Sequence, residues 1–559
     1  MSLRRNTYAC GLSKKSLSKK SLSKKSLSRH ILSGLAFTLL LVLPVIGQVA
    51  VTTYHNDNYR TGWNSGETVL TPANVNAAQF GQLSNVTLDD QVDAQPLVVP
   101  GVTITQGNDQ GPHDVVYVVT ESDTVYAIDA NVGSVLLSNH LGTPVGRPLG
   151  CGNNGPNVGI NGTPVIDTSS NTLYVIAYTK DSTGPTYRIH ALDLGSLADK
   201  ITPPPVIAAS HTLIDGTTYS FNATYQRQRP ALLEANGNIY AGFGSFCDFG
   251  ANISRGWLLG WNAATLAPLT TNEIFDTQVT SPDNFFLTSI WMSGYGLAAD
   301  DSGNILFVTG NSDYSGNTYD GVTNIQESVV KVSANLTSVL DLFTPSNVGS
   351  LDQADEDFGS GGALILPDQP GSMPHLAVAA GKAGTMFLMN EDSLGGYSPR
   401  KNNVLGSYNV GGCWCGQSYF VDPTDGLARV VSSGGTQVEI WKLQTSPTPK
   451  LSPVSRSASV ANGQDPGFFT SVSSNGTATP IIWAVSRPLS GKNNGISLYA
   501  FNPETGTASM TALFRGAAGA WPNTGGNSNL VPVVANGKVY VGSNKQLRIF
   551  GLKAGARKK

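Results

Sequence analysis

The sequence predicts a nearly all-β chain closed into an eight-bladed propeller of four-stranded antiparallel blades, and three observations carry that prediction. First, 62 Gly and 31 Pro with only 13% charged residues, and Val, Ile, Thr and Tyr gathered in short runs, favour many short strands joined by tight turns. Second, one hairpin pattern recurs. The C-terminal stretch LVPVVANGKVYVGSNKQLRIFGL, Leu530 to Leu552, contains an Asn-Gly between alternating apolar residues, the strongest short-range hairpin signal. Looser versions begin at Gln95, Gly162, Arg229, Gly294, Ser360, Arg429 and Thr479, which makes eight units. Their period of about 40 to 55 residues is too long for a solenoid coil and suits a propeller blade. Third, the terminal unit supplies three strand-like runs, while FGQLSNVTLD, Phe80 to Asp89, stands alone ahead of the first unit. Pairing that strand with the last unit closes the ring and removes exposed sheet edges. Because the fourth strands are weakly written, seven blades with one unit mis-split is the alternative count.

Read in order, residues 1–47 form a basic segment and an apolar run. The first 50 residues hold nine Lys/Arg and no acid, and Ile31 to Ile46 is almost wholly apolar. The run is shorter than the roughly 20 residues of a spanning helix, and small residues precede Gln48. This reads as an export signal removed from a periplasmic or secreted protein, an uncleaved anchor being the alternative. The SLSKK repeats inside it are low in complexity. Residues 48–79 are expected as an N-terminal arm lying across the propeller of residues 80–552, and 553–559 as a basic tail. Without the nine basic residues, 26 Lys/Arg face 38 Asp/Glu, about twelve net negative charges, which argues against a nucleic-acid partner. No stable membrane span is expected once the signal is gone.

Of five cysteines, Cys10 falls in the signal. Cys151 and Cys247 are the candidate disulfide in an oxidising compartment. Cys413 and Cys415, in Cys-Trp-Cys, are too close for an easy mutual bridge and are expected as two buried thiols.

Two units carry Ala-x-(Asp/Asn)-x-x-x-Gly, as Ala127, Asp129, Gly133 and Ala500, Asn502, Gly506. This resembles the repeat of the quinoprotein alcohol dehydrogenase-like propellers, although the slot for that repeat's docking Trp holds Leu137 and Met510. The middle units are similar to the cofactor site of the pyrroloquinoline quinone-dependent alcohol dehydrogenases. Cys247-Asp248-Phe249-Gly250, followed by Arg255-Gly256, resembles the stretch bearing an acidic calcium ligand. The resemblance implies Asp248 and Asn311 as metal ligands and Trp291 as the floor under the quinone. It implies Arg255 and Lys382 as further cofactor-binding residues and Asp357, in Asp357-Phe358, as the catalytic base. Pyrroloquinoline quinone and Ca2+ would be the cofactors and an alcohol or sugar the substrate. Such a set is chemically coherent: carboxylate and amide oxygens suit a hard cation, an indole suits a flat ring, and a carboxylate can take a hydroxyl proton. The adjacent cysteine pair of that family has only Cys151 in the comparable loop. No haem-attachment C-x-x-C-H is present, which implies a separate electron acceptor. By residue type alone, Asp248, Asn311 and Asp357 are equally turn residues of Gly-rich loops. The alternative function is a non-catalytic propeller that binds a protein, glycan or envelope component.

Overall fold

In the computed structural model, the described residues are 47–152, 155–248, 254–279, 286–312, 318–460, 463–488, 494–503, 508–523 and 525–555. The export-signal reading of 1–47 therefore falls almost wholly outside them, as do Phe249, Gly250 and Gly506. Among them, eight antiparallel sheets follow one another along the chain as the blades of a propeller. Blade 1 has strands Leu97–Ile104, Gly111–Val119, Thr124–Asp129 and Val135–His140. Blade 5 (Ala363–Leu366, Leu376–Ala380, Thr385–Asn390, Gly406–Asn409) and blade 6 (Ser418–Val421, Ala428–Ser432, Glu439–Gln444, Lys450–Arg456) are likewise four-stranded. Blade 3 is built on Gln226–Gln228, Asn238–Ser245 and Trp257–Asn262, blade 4 on Ala298–Ala299, Ile305–Val308, Val329–Val332 and Val339–Thr344, and blade 7 on Phe469–Asn475 to Thr511–Ala520. No helix among the described residues is long and apolar enough to cross a membrane.

Blade 2 departs from the four-strand expectation: its sheet is Val165–Asp167, Thr172–Asp181 and Gly184–Asp193. The outer position is held by residues 198–207, which bond the last strand at separate points, such as Lys200 N–H to Ala191 O and Ile207 N–H to Tyr187 O. Pro203, Pro204 and Pro205 fall in that run, and three residues without an N–H cannot sustain a ladder.

The ring closes as the orphan strand predicts. Phe80–Gln91 pairs antiparallel with Lys538–Leu552, Phe80 opposite Leu552 and Thr87 opposite Gln546. The earlier half of the long strand pairs with Val533–Ala535, and Lys545 between the two halves has φ 56°. Phe80 is fully buried against Trp483, Phe514 and Phe550. Val86 and Leu88 pack with Val116 and Val118 of blade 1. The closing strand thus joins the last blade by backbone bonds and the first by side chains. Met510, in a docking-Trp slot, fills the blade 6–7 contact with Val438, Ile440 and Val472.

Residues 49–67 make a circuit of the inner strands. Val49 meets Asn536 of blade 8, Val51 bridges Val98, and Thr52 O accepts from Ile166. Asn58 bonds Glu234 O and Ala299 N–H, Tyr59 O takes Ile365 N–H, and Thr61 O takes Tyr419 N–H. Trp63–Asn64 then adds parallel to blade 7, and Asn64 returns to Val534 O. Every blade is touched in order. Arg60, with no exposed surface, donates to Leu297 O, Leu232 O, Tyr54 O, Asp57 O and Thr53 Oγ1. Its buried charge is thereby spread over five oxygens of three segments, which offsets much of the cost of desolvation.

Candidate functional site

Six successive blades or connections send residues to one cavity of about 200 Å³, including Asp248 of blade 3, Trp291 before blade 4, Asp357 before blade 5, Lys382 of blade 5 and Trp414 before blade 6. Only the ring axis is common to so many blades, so the cavity sits at one end of it. The local backbone explains how the side chains get there. Trp291 is followed by Met292 and Ser293 at φ 42° and 51°, and Cys247 and Asp248 stand at φ 49° and 55°. Paired left-handed non-Gly residues are costly, persist only where surrounding structure dictates them, and cluster at sites. The Asp357 segment lies directly on its neighbours. A Cβ at Gly359 would come within 2.4 Å of the Gly310 nitrogen, and one at Gly381 within 2.5 Å of Phe358 Cα. Glycine at both positions lets segments around 310, 358 and 381 touch backbone to backbone.

Asp357 is held at both carboxylate oxygens: Asn311 N–H donates to Oδ1 at 3.1 Å and Lys382 Nζ lies 2.7 Å from Oδ2. Lys382 Nζ also reaches Asp355 Oδ2 at 3.2 Å and donates to Asp355 O at 3.0 Å. It stands 5.8 Å from the Trp291 ring centroid and 5.4 Å from that of Trp414, a cation between two indole faces. Burial pushes Asp357 above the usual carboxylate range while Lys382 pulls it down. Burial opposes the Lys382 charge, yet Asp357 and Asp355 hold the ammonium above its ordinary value. Asp248 is bonded by Ser245 Oγ at 3.0 Å and is pushed up to about 6 by desolvation and by Asp357. Glu327 accepts Phe358 N–H at Oε2 and leaves Oε1 buried without a partner; burial raises it well above the carboxylate range.

Three solved structures resemble the chain over 90% of its length with a TM-score of 0.57 each. They are the quinohemoprotein alcohol dehydrogenase of Comamonas testosteroni (14% identity, 80% of that chain covered), quinohemoprotein alcohol dehydrogenase ADHIIG of Pseudomonas putida HK5 (13%, 80%) and a europium-containing methanol dehydrogenase (10%, 98%). The chain has the quinoprotein alcohol dehydrogenase fold. No family model and no curated protein matches the sequence.

Within this quinoprotein-type propeller, four of the residues named from sequence, Asp248, Trp291, Asp357 and Lys382, line the one cavity. Asn311 does not line it. Its backbone bonds Asp357 and its Nδ2 donates to Asp355 Oδ1 at 2.9 Å, so it stands behind the wall with its amide oxygen as the remaining ligand atom. Arg255 is elsewhere: its guanidinium donates to Asp276 O and Gln278 O, lies 3.5 Å from Asp276 Oδ1 and stacks 5.1 Å from the Tyr219 centroid. A short Arg-Gly motif placed it by sequence order. The strand direction turns it away toward blade 3's outer neighbours.

Cys151 and Cys247 are joined, Cα to Cα 5.6 Å. The expectation of two thiols at Cys413 and Cys415 is corrected, because they form a disulfide with Cα atoms 4.8 Å apart. Residues i and i+2 of a strand are about 6.6 Å apart. Here the chain bends at Trp414, with Cys413 N–H on Gly381 O and Trp414 N–H on Pro466 O. Both cysteines are fully buried, and the bridge fixes Trp414 at the cavity wall. Sequence reading also missed Arg227, Arg229, Asp465, Asn527 and Asn529 of the same wall. Arg-Gln-Arg-Pro, two arginines in a charge-poor chain, was the available signal.

Proposed function

We propose that this is an exported quinoprotein oxidoreductase that takes an alcohol or sugar, with pyrroloquinoline quinone and a divalent cation, Ca2+ being the natural choice, and passes electrons to a separate acceptor. The observation that carries this reading is the convergence on one axial cavity of Asp248, Trp291, Asp357 and Lys382, although 134 residues separate the first from the last. The donor set fits the cofactor. Beyond burial, Asp357 raises the proton affinity of Asp248 by repulsion, which a divalent cation with oxygen ligands would relieve. Trp291 and Trp414 offer flat faces. The buried Arg229 Nε has no hydrogen-bond partner and suits a carboxylate.

When bound, the quinone supplies the two-electron acceptor and the cation the Lewis acid. Asp357, fixed by Asn311 N–H and Lys382 Nζ, is oriented to accept the hydroxyl proton of the substrate. Lys382, kept protonated by two aspartates, holds a positive charge beside Trp291, where it would favour negative charge on a bound ring. The test is reconstitution with quinone and Ca2+, followed by dye reduction across an alcohol and sugar panel. Asp357→Asn is expected to bind quinone, read by quenching of tryptophan fluorescence, but to lose about 10²-fold or more in rate. Wild-type protein that neither binds quinone nor reduces dye with any substrate defeats the reading and leaves a binding propeller.

A further inference from the structure

We infer that Arg229 is the anion anchor of the axial cavity and that its occupant carries a carboxylate on the side away from Asp357. The inference names the ligand chemistry of the same cavity and rests on its geometry, not on redox turnover. Arg229 is 91% buried and lines the cavity, yet its guanidinium makes no hydrogen bond or ion pair among the described residues, and Nε is a buried donor without a partner. Every other charged side chain of the wall is engaged. Lys382 holds Asp357, and Arg227 donates from Nε and Nη2 to Asn161 Oδ1 at 3.0 and 2.8 Å, Asn161 in turn bonding Asp93 and Glu121. Asp465 accepts Asn527 Nδ2 at 2.9 Å, and Asp248 accepts Ser245 Oγ. Arg487, fully buried behind the wall, donates to Asp465 O, Trp414 O and Asn529 Oδ1.

The wall therefore has two electrostatic neighbourhoods. Asp248, Asp355 and Asp357 act on one another around Lys382. Arg229 acts on Arg227 and Arg487, disfavouring the charge of each. A guanidinium left unpaired beside two others is unfavourable in the empty protein and becomes favourable when an anion arrives. Its planar fork matches a carboxylate. One unpaired guanidinium calls for one carboxylate at this end of the cavity, whatever other groups the occupant carries.

Two sources share this chemistry, a carboxylate of the quinone and an acidic substrate such as a uronic acid, and the experiment separates them. Equilibrium binding is measured by tryptophan fluorescence for wild type, Arg229→Leu and Arg229→Lys with three probes: pyrroloquinoline quinone, D-glucuronate and D-glucose, the last two compared on quinone-loaded protein. Arg229→Leu is expected to bind the carboxylate-bearing probe at least about tenfold more weakly, with Arg229→Lys between. A loss confined to quinone assigns the anchor to the cofactor. A glucuronate-over-glucose preference lost in Arg229→Leu assigns it to substrate. The unliganded Arg229→Leu melting temperature is expected to equal or exceed wild type, because a buried unpaired charge is removed; a lower one, with unchanged binding, would make Arg229 structural and overturn the inference. So would wild type binding neither carboxylate probe. Quinone binding without dye reduction would sink the oxidoreductase reading and leave this one standing.

Discussion

His55 makes the channel-filling arm acid-sensitive by an amount that can be worked out from its surroundings. The imidazole is 1% exposed, stacked on Tyr54 at 4.7 Å and edge-on to Tyr295 at 4.9 Å. Its Nδ1 lies 3.3 Å from Arg60 O, and Nε2 is buried without a partner. Charging this ring requires desolvating an imidazolium next to the Arg60 guanidinium, so burial first and Arg60 second hold its pKa down to about 3. Arg60 O, as an acceptor for the ring, opposes the shift without cancelling it. In the unfolded chain the ring titrates near 6.5. The sign follows from linkage. Below about 6.5 the unfolded state binds a proton that the folded state refuses, so stability is complete above that pH and is lost as pH falls toward 3. At 1.36 kcal/mol per pH unit the loss is about 2 kcal/mol at pH 5 and about 3 kcal/mol at pH 4. The assay is urea unfolding followed by tryptophan fluorescence at pH 7.5 and 5.0, for wild type and His55→Leu. Both proteins share every other titrating group. Wild type is expected to lose about 2 kcal/mol more than His55→Leu between the two pH values. Parallel pH profiles, within about 0.5 kcal/mol, would show that His55 does not stay neutral in the folded channel and would refute the argument.

Phe80→Ala, which empties the fully buried start of the ring-closing strand, is expected to cost about 3 to 5 kcal/mol in urea unfolding and to raise aggregation by freeing a sheet edge. Burial pushes Asp123 up to about 9, so its carboxyl is protonated at neutral pH, and the stability it confers falls as pH rises from about 4 and is gone once pH has passed about 9. Asp123→Asn is accordingly expected to show a smaller loss of stability than wild type between pH 8 and 10, checked by thermal melts. Cys413→Ser with Cys415→Ser should leave the propeller folded by circular dichroism while loosening Trp414, seen as weaker ligand-induced quenching; unchanged quenching would mean the loop is fixed without the bridge.

Much of the fold was legible because propeller blades are local. A hairpin such as Val533 to Val541 is written by its own Asn-Gly and alternation, and the missing fourth strand of the last unit named Phe80 to Asp89 as its partner. Blade 2 was not legible to the same degree, since three prolines remove the donors that a fourth strand needs. At the site, motif order placed Asp248, Trp291, Asp357 and Lys382, all at ends of inner hairpins where the repeat fixes position around the axis. The same order misplaced Arg255, whose direction depends on a strand pairing with residues 286–287 and on Asp276.

The sequence by itself determined the repeat, the ring closure and the short motifs, because each is encoded within one hairpin or in a single unmatched strand, and it favoured eight blades over seven. The tertiary structure decided what lies between hairpins. It bent Cys413 and Cys415 into a bridge through bonds to Gly381 and Pro466, and it threaded residues 49–67 past all eight inner strands around a buried Arg60. It also placed the Arg229 guanidinium at the cavity with no protein acceptor for its Nε. Those outcomes depend on groups far apart in the chain meeting at the axis, where distance, desolvation and the count of available partners, not residue type, set the chemistry.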